Sequence, residues 1–203
     1  MDGCMEKGLG IEDGGCRYYE TDFQMSSLSN GTDALFAIKQ LVFTQKRFTL
    51  REFRDILNAN YEGNEVLRQE IVNKLPKFGN GNPEVDQIAD EIVRFFSREV
   101  KKHKNSFNGP YRARISSALG YVAIARGLGA SADGRKCSDF YAANLSPGLG
   151  AERTGPIGVI TSCGKLPTEG LAGGSILDIK FHPNALATAE QLEKFIALMK
   201  TYF

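Results

Sequence analysis

The chain has 203 residues and a formal net charge of +1, because 25 Lys and Arg nearly balance 24 Asp and Glu. This balance excludes the strong positive field that binding to nucleic acid or to an anionic membrane surface requires. The composition, 42% hydrophobic and 24% charged, is typical of a folded globular protein, and no apolar run is long enough to cross a bilayer. The first residues have neither the basic segment nor the apolar core of a signal peptide, so we expect a cytoplasmic protein.

The chain has four cysteines and two histidines, and all six are widely spaced: Cys4, Cys16, Cys137, Cys163, His103 and His182. No Cys-x-x-Cys pair occurs, and no histidine lies at zinc-finger distance from a cysteine. We therefore expect free thiols and no metal site.

The amino-terminal part predicts a short helix that ends at Gly8 or Gly10, followed by a turn at 13–15. An extended segment over 17–28 is expected to lead to a loop at Asn30-Gly31.

Four helices are then predicted from caps and apolar periodicity. Thr32 is placed to cap the first, which is expected to run to Phe43 with Leu35, Ile38, Leu41 and Val42 on one face. Residues 49–52 form a capping box, because Thr49 and Glu52 can each satisfy a free backbone N–H of the other. The third helix follows Asn64 and stops before Pro76, and the fourth begins at Pro83. Their apolar stripes predict core packing.

The later part mixes strands, loops and helices. The predicted elements, in order, are a strand over 112–116, a segment over 120–126 that is either helix or strand, a glycine-rich loop over 127–156, a short helix behind Gly155-Pro156 that reaches Lys165, a strand over 175–181, and a helix after a second capping box at 188–191. We expect one partial domain over 1–203, with a helical portion at 30–105, a loop-and-strand portion at 110–186 and a terminal helix at 188–203.

The loop over 127–156 is unusually long. Loops of more than about 12–15 residues are uncommon inside a compact domain and are usually functional. The loop therefore either builds a site or packs against protein outside this sequence. The apolar stripe of the last helix still continues at Tyr202-Phe203, and from this we expect the chain to be part of a larger protein.

Two short motifs have both a chemical and a structural interpretation. Cys4 and Glu6 could act as a thiol with a carboxylate base, but residues two apart point to different sides of a helix. Asp133, Gly134 and Arg135 could form an anion site with Arg135 as the clamp, or a turn tied by an Asp–Arg pair. The Walker and dinucleotide-binding spacings are absent from the sequence.

The order of the motifs resembles that of the pyruvate formate-lyase-like glycyl radical enzymes. Residues 129–135 (G-A-S-A-D-G-R) resemble the family's G-A-T-P-D-G-R signature. Four further segments resemble family motifs in the same order along the chain: 4–18, 145–150, 155–165 and 177–186. The segments 33–43 and 77–80 also fit, so the resemblance covers essentially the whole chain.

This resemblance implies an α/β fold: part of a ten-stranded barrel of two antiparallel five-stranded half-barrels, with a helix-rich periphery. In the family a finger loop holds a catalytic Cys opposite a Gly that stores the radical. A separate activating enzyme with an iron–sulfur cluster and S-adenosylmethionine installs that radical. We therefore expect no cofactor to be bound by this chain itself.

Neither radical site of the family can be transferred to this sequence. The carboxyl-terminal R-V-x-G-[YF] motif does not occur, and Cys4-Met5-Glu6 resembles the catalytic G-C-x-E loop but is followed by the pattern of a later structural helix. No catalytic residue is therefore transferred. Tyr121, Ile157 and Gly158 depart from the family pattern and are our candidates for lining the substrate pocket, with packing as the alternative. Asp133, Gly134 and Arg135 are interpreted as a structural signature.

Two functions compete. The first is part of a glycyl radical lyase or formate acetyltransferase that cleaves C–C, C–O or C–N bonds, is inactive alone and belongs more to the dehydratase-like group. The second is a non-catalytic binding or assembly subunit on the same scaffold. In both cases the expected partner is the remainder of such an enzyme or a second copy of this chain.

Overall fold

The structure, a computed structural model, describes residues 2–202, the last two of them by backbone alone. Eight helices and two strands are formed within these residues. In chain order they are α1 (Cys4–Lys7), β1 (Thr21–Met25), α2 (Leu28–Ile38), α3 (Leu50–Asn58), α4 (Glu65–Asn73), α5 (Pro83–Val100), β2 (Tyr111–Ile115), α6 (Gly120–Ala125), α7 (Gly155–Gly164) and α8 (Ala189–Tyr202). A π-helical turn, Lys39–Thr44, continues α2, and two 3₁₀ turns, Thr168–Gly170 and Pro183–Leu186, lie in the last third.

The sheet consists of two parallel strands. β1 pairs with β2 in a register that places Phe23 opposite Ala113. The predicted strand at 112–116 is confirmed, and its alternation has the expected meaning because Ala113 and Ile115 are buried. The ladder is extended by a single bridge from Ile115 to Ser175.

The helix caps that were predicted from sequence form as expected. In the first capping box the Glu52 amide donates to the Thr49 hydroxyl at 3.2 Å, while the Thr49 amide donates to the Glu52 carboxylate at 2.7 Å. α5 begins with Pro83 behind an Asn82 side chain that accepts from two amides of the first turn. In the second box the Gln191 amide donates to Thr188 Oγ1 at 3.2 Å.

The core has two parts that meet along α2. The first lies between α2, α5, α7 and the sheet and includes Phe36, Phe78, Val85, Ala89, Val93, Ile115, Val159 and Cys163. The second lies between the end of α2, α3, α4 and the glycine-rich loop and includes Ala37, Leu41, Phe53, Tyr61, Leu67, Ile71 and Ala132. Because α2 contributes to both parts, it joins the helical portion to the loop-and-strand portion.

The prediction for the start of α2 is wrong. The helix begins at Leu28, behind Ser27 with a left-handed φ of 63°, so Asn30-Gly31 is helix and not loop. Thr32 is an interior residue whose hydroxyl donates to the Leu28 carbonyl at 2.9 Å. Ser29, Asn30 and Thr32, whose residue types are typical of a loop and a helix cap, are buried. The Ser29 hydroxyl donates to the Ser146 carbonyl at 2.9 Å. The predicted apolar face is only partly buried, because Leu35 is 49% exposed whereas Leu41 is buried.

The predicted strand at 175–181 is also wrong beyond its first residue. The Ile176 amide donates to the Ile115 carbonyl at 3.2 Å, but on its other side the Ile176 carbonyl accepts from Leu145, which lies in the loop. With loop instead of strand as a neighbour, no continuous ladder forms. The segment at 120–126, for which helix and strand were both possible, forms helix α6. The helix predicted behind Gly155-Pro156 is α7. The loop over 127–156 contains only turns and irregular backbone up to the start of α7.

Candidate functional site

The signature segment, residues 129–135, is held by buried polar contacts to the helical portion. The Asn30 amide group donates to one Asp133 carboxylate oxygen at 2.5 Å, and Ser131 donates to the other. The backbone carbonyl of Asp133 accepts from Lys77 Nζ at 2.8 Å. Burying a carboxylate without partners is costly, and these donors offset that cost. These contacts fix the turn against Asn30 of α2 and against Lys77.

Arg135 is buried beneath the same loop, and its guanidinium faces oxygen atoms of the loop itself. It donates to the carbonyls of Lys136 and Asp139 at 2.8 and 2.9 Å, to the Gly129 carbonyl, and to Ser131 Oγ at 3.2 Å. The guanidinium also stacks on Tyr141, with its carbon 4.0 Å from the ring centroid. Four of its N–H groups are therefore engaged by the protein. This arrangement supports a structural role for Arg135 over an anion clamp. The Arg135 guanidinium, however, binds backbone carbonyls and not the Asp133 carboxylate that the predicted Asp–Arg pair would use.

Gly134 lies where two helical neighbours approach the loop. Its φ is 97°, and a Cβ at this position would lie 2.5 Å from Val72 Cγ2. Its carbonyl accepts from Arg68 at 3.2 Å, and the Tyr61 hydroxyl donates to the carbonyl of Ser131 at 2.7 Å. The glycine is required both by backbone conformation and by space. α4 and the α3–α4 connection therefore contact the signature segment directly.

A second buried carboxyl lies beside the signature. Asp33 Oδ1 accepts from the Phe78 amide at 2.7 Å. Burial raises the pKa of Asp33 to about 7, and the nearby charge of Asp133 also raises it. The charge of Lys77 and the hydrogen bond from the Phe78 amide act in the opposite direction and lower it. Burial also lowers the pKa of Lys77, against the attraction of Asp33 and Asp133. These groups border a cavity of about 380 Å³ whose other walls include Phe140 and the 148–151 turn.

A larger cleft of about 870 Å³ opens between the glycine-rich loop, α6, the start of α7 and residues 177–181. Asn144 ties its two walls together, since its side chain accepts from the Ser117 amide at 2.7 Å and donates to the Asp178 carboxylate. The Ser146 hydroxyl donates to the Asp178 carbonyl at 3.1 Å and accepts from its amide at 3.2 Å. These hydrogen bonds brace the walls against each other, and the lining also includes the polar side chains of Tyr121, Glu152 and Lys180.

The three predicted pocket residues are placed differently. Tyr121 lines this cleft. Ile157 is 67% exposed and does not form part of the cleft lining. Gly158 is buried inside α7, where a Cβ would lie 1.9 Å from Thr154 Oγ1 and 3.2 Å from the Gly79 carbonyl. The structure brings only Tyr121 to the cleft, and a role in substrate binding stays a prediction for all three.

The sequence reasoning missed two side chains that organise these sites. The residue type of Asn30 predicts a loop, yet its side chain donates to Asp133 and accepts from the Ala142 amide at 2.7 Å. Asn144 was not singled out; its φ of 55° is one that Asn tolerates better than most residues. No local pattern marks either residue, because their partners lie far away in sequence. In α1, Cys4 faces Cys16, with 3.8 Å between the sulfurs, while Glu6 is exposed.

The described residues also bear on metals and membranes. Within 2–202, no three His, Cys, Asp or Glu side chains lie together in a way that could hold a metal ion. None of the helices in the described part of the chain combines the length and apolarity of a membrane-crossing segment.

Comparison with known proteins identifies the scaffold. The sequence profile of the pyruvate formate lyase-like family matches residues 1–125, and the glycine radical profile matches residues 141–203. The chain is 32% identical over its full length to trans-4-hydroxy-L-proline dehydratase of Clostridioides difficile and 31% identical to the probable dehydratase YbiW of Escherichia coli K12. It spans 26% of the length of each.

Solved structures agree over the whole chain. The glycerol-bound B12-independent glycerol dehydratase of Clostridium butyricum superposes with a TM-score of 0.93 at 32% identity, and hydroxyproline dehydratase of C. difficile with a TM-score of 0.91 at 33%. Each match covers 100% of this chain and 26% of the other. The small parallel sheet and its helices thus form part of an α/β barrel, and the chain belongs to the pyruvate formate lyase-like family of glycyl radical enzymes.

Proposed function

We propose that this chain is part of a glycyl radical enzyme of the dehydratase group, which removes water from a small hydroxylated substrate. The observation that carries this proposal is the superposition on glycerol dehydratase over the full length of the chain with a TM-score of 0.93. The names of the relatives support the same reaction class, since they include dehydratases for trans-4-hydroxy-L-proline and for (2S)-3-sulfopropanediol.

In this proposal the 203 residues supply barrel wall and loop scaffold and do not catalyse alone. Two observations support this. The sequence contains no R-V-x-G-[YF] motif, and its one G-C-x-E string, at residues 3–6, opens the short helix α1 and is followed by the pattern of a later structural helix of the family. The chain also spans about a quarter of its relatives. The radical would be installed on the complete protein by a separate activating enzyme that uses S-adenosylmethionine and an iron–sulfur cluster. The free cysteines of the described chain fit our expectation of a cytoplasmic location.

The proposal assigns Tyr121 to the substrate side of the barrel, because it lines the large cleft beside Asn144 and Asp178. Ile157, which is exposed here, would then contact other segments of the complete enzyme. Gly158 would act by letting α7 approach the Gly79 carbonyl closely.

A chimera tests the proposal. The quarter of C. butyricum glycerol dehydratase that matches this chain is replaced by residues 1–203, and the product is activated anaerobically beside the unchanged enzyme. We expect a glycyl radical signal by electron paramagnetic resonance and measurable dehydration of glycerol, propane-1,2-diol or trans-4-hydroxy-L-proline. The isolated chain should give neither signal nor product. Dehydration by the isolated chain would contradict the scaffold role.

Within an active chimera, Tyr121→Ala should raise KM or lower kcat several-fold. The matched control is Tyr18→Ala, because Tyr18 is 72% exposed and lies away from the cleft. A chimera that carries the radical yet dehydrates none of the three substrates would argue against the dehydratase group. Equal kinetics for both Tyr variants would remove Tyr121 from the pocket.

The second candidate, a non-catalytic assembly subunit, is favoured by exposed apolar side chains. Leu119 and Leu149 are 77% and 82% exposed, and Met5 is 92% exposed. Apolar surface of this kind is typical of surfaces that contact other protein. An assembly subunit predicts a stable complex of the isolated chain with itself or with a separate barrel protein, seen by size-exclusion chromatography with light scattering. A monodisperse monomer that binds no hydrophobic dye would contradict it.

A further inference from the structure

Two cysteines near the amino terminus lie side by side. The sulfurs of Cys4 and Cys16 are 3.8 Å apart, and both side chains are partly buried. The other two thiols differ in setting, since Cys137 is exposed and Cys163 is buried. The 4–16 pair therefore combines closeness of two sulfurs with access for a small reagent.

The backbone holds these two positions together without help from the sulfurs. The Arg17 amide donates to the Asp2 carbonyl at 2.7 Å, and the Gly15 amide donates to the Gly10 carbonyl at 2.9 Å. Gly3 has a φ of 93°, and a Cβ there would lie only 3.0 Å from the Gly15 carbonyl oxygen and the Arg17 nitrogen. The start of α1 and the 15–17 segment are thus in direct contact.

A side chain of α1 adds a further link. Lys7 Nζ donates to the carbonyl of Cys16 at 3.2 Å and to that of Gly14 at 3.3 Å. The carbonyl of Cys4 also accepts from the Leu9 amide at 3.2 Å, which ends the helix. The loop that joins the two cysteines is therefore already closed by hydrogen bonds before any covalent bond forms.

We propose that Cys4 and Cys16 are a redox-sensitive modification site that forms a reversible intramolecular disulfide under mild oxidation by a peroxide. The sulfurs need to approach from 3.8 Å to about 2.05 Å, a distance that side-chain rotation can close. The proposal does not depend on the reaction of the complete enzyme.

The reaction balances with hydrogen peroxide as the oxidant. The thiolate of one cysteine attacks the O–O bond, so that an S–O bond forms and hydroxide leaves, to be protonated to water. The sulfur of the second cysteine then attacks the sulfenic sulfur, forming the S–S bond and breaking the S–O bond, and the oxygen leaves as a second water. The two thiols together lose two electrons and two protons, which reduce the peroxide.

The setting makes this a slow switch. Partial burial raises the pKa of the Cys4 thiol above its usual value, and the neighbouring Cys16 raises it further. The reactive thiolate of Cys4 is therefore a minor species near neutral pH, so sustained peroxide is needed. Once formed, the bond ties α1 to the segment that leads into β1.

Peptide mapping tests the proposal. The purified chain is treated with hydrogen peroxide, the remaining thiols are alkylated, and the protein is digested with trypsin without reduction. Cleavage after Lys7 and Arg17 separates the two cysteines into peptides 1–7 and 8–17. We expect these peptides as one disulfide-linked species that separates on reduction. Alkylatable thiols under denaturing conditions should fall from four to two.

Two variants serve as controls. Cys137→Ser removes the exposed thiol and should leave the linked species unchanged, whereas Cys16→Ser should abolish it. The proposal is overturned if both peptides of the wild-type chain stay unlinked and alkylated, or if each cysteine carries a separate sulfinic acid. Linkage of either peptide to Cys137, or to the same peptide of a second copy, would overturn it as well.

Discussion

The carboxylate of Asp33 accepts a hydrogen bond from the backbone amide of Phe78 at 2.7 Å, although the two residues are 45 positions apart in the sequence. This contact joins α2 to the segment that follows α4, and both residues are buried. Lys77, the neighbour of Phe78, donates to the Asp133 carbonyl and attracts both carboxylates. The signature segment thus rests on a buried cluster of two carboxyl groups and one ammonium.

The first prediction concerns pH. Burial raises the pKa of Asp33 to about 7, above the value of about 3.9 expected in the unfolded chain. The folded state then binds the proton more tightly, so the contribution of this group is complete below about pH 4 and is lost as the pH rises through about 7. Between pH 5 and pH 8, urea unfolding should show the wild-type chain losing about 1–3 kcal/mol relative to Asp33→Asn.

The control for this experiment is Asp55→Asn. The Asp55 side chain is 58% exposed and pairs with its neighbour Arg54. Its stability difference from the wild-type chain should change little over the same pH range. Parallel pH profiles for the wild-type chain and Asp33→Asn would show that Asp33 does not titrate differently on folding.

The helices of this fold could be predicted where their signals are local. The capping boxes at 49–52 and 188–191 use partners three residues apart, so the sequence displays both halves of each interaction. The start of α2 could not be predicted in this way. Asn is a residue type typical of loops, but the side-chain amide of Asn30 donates a hydrogen bond to the carboxylate of Asp133, which is 103 residues away. Tertiary contacts therefore override local propensity at this helix.

The candidate site divides in the same manner. Asp133, Gly134 and Arg135 could be recognised as a unit because they are adjacent in sequence. Which atoms the Arg135 guanidinium contacts could not be recognised, because carbonyl acceptors leave no trace in the residue types. Likewise, Ile157 stands next to Pro156, which lines the large cleft, yet it is 67% exposed. On a short helix, adjacent residues face different directions.

The second prediction concerns Gly134. Replacing it with Ala forces a left-handed φ on a residue with a Cβ and places that Cβ 2.5 Å from Val72 Cγ2. Gly134→Ala should lower the free energy of unfolding by about 1–3 kcal/mol. The matched control is Gly129→Ala in the same segment, where nothing lies within 4 Å of the added Cβ. Adding Val72→Ala to Gly134→Ala should recover part of the loss; equal stability of both single variants would contradict the prediction.

The third prediction concerns Arg135. Lysine keeps the charge but cannot reach the carbonyls of Gly129, Lys136 and Asp139 together or stack on Tyr141. Arg135→Lys should therefore destabilise the chain by about 2–4 kcal/mol, because the buried side chain at this position loses most of its hydrogen bonds. Chemical unfolding measures the loss, and the near-ultraviolet circular dichroism of Tyr141 should weaken. Arg54→Lys, at a side chain 62% exposed, is the control and should be nearly neutral. A similar result for both variants would mean that the guanidinium contacts contribute little.

The fourth prediction separates the two remaining thiols. Burial, reinforced by Asp86, raises the pKa of Cys163 to about 12, and its sulfur packs 3.7 Å from the Leu145 carbonyl oxygen. At pH 8 only about one thiol in ten thousand is then ionised, and the group is also shielded from reagents. Iodoacetamide should label the exposed Cys137 in the native chain, but it should label Cys163 only in concentrated guanidinium chloride. Mass spectrometry of the digested protein measures the extent of labelling at each cysteine. Native labelling of Cys163 as fast as Cys137 would show that α7 opens readily from the core. We expect the opposite, because Val159 and Cys163 of α7 belong to the same buried cluster as Val85.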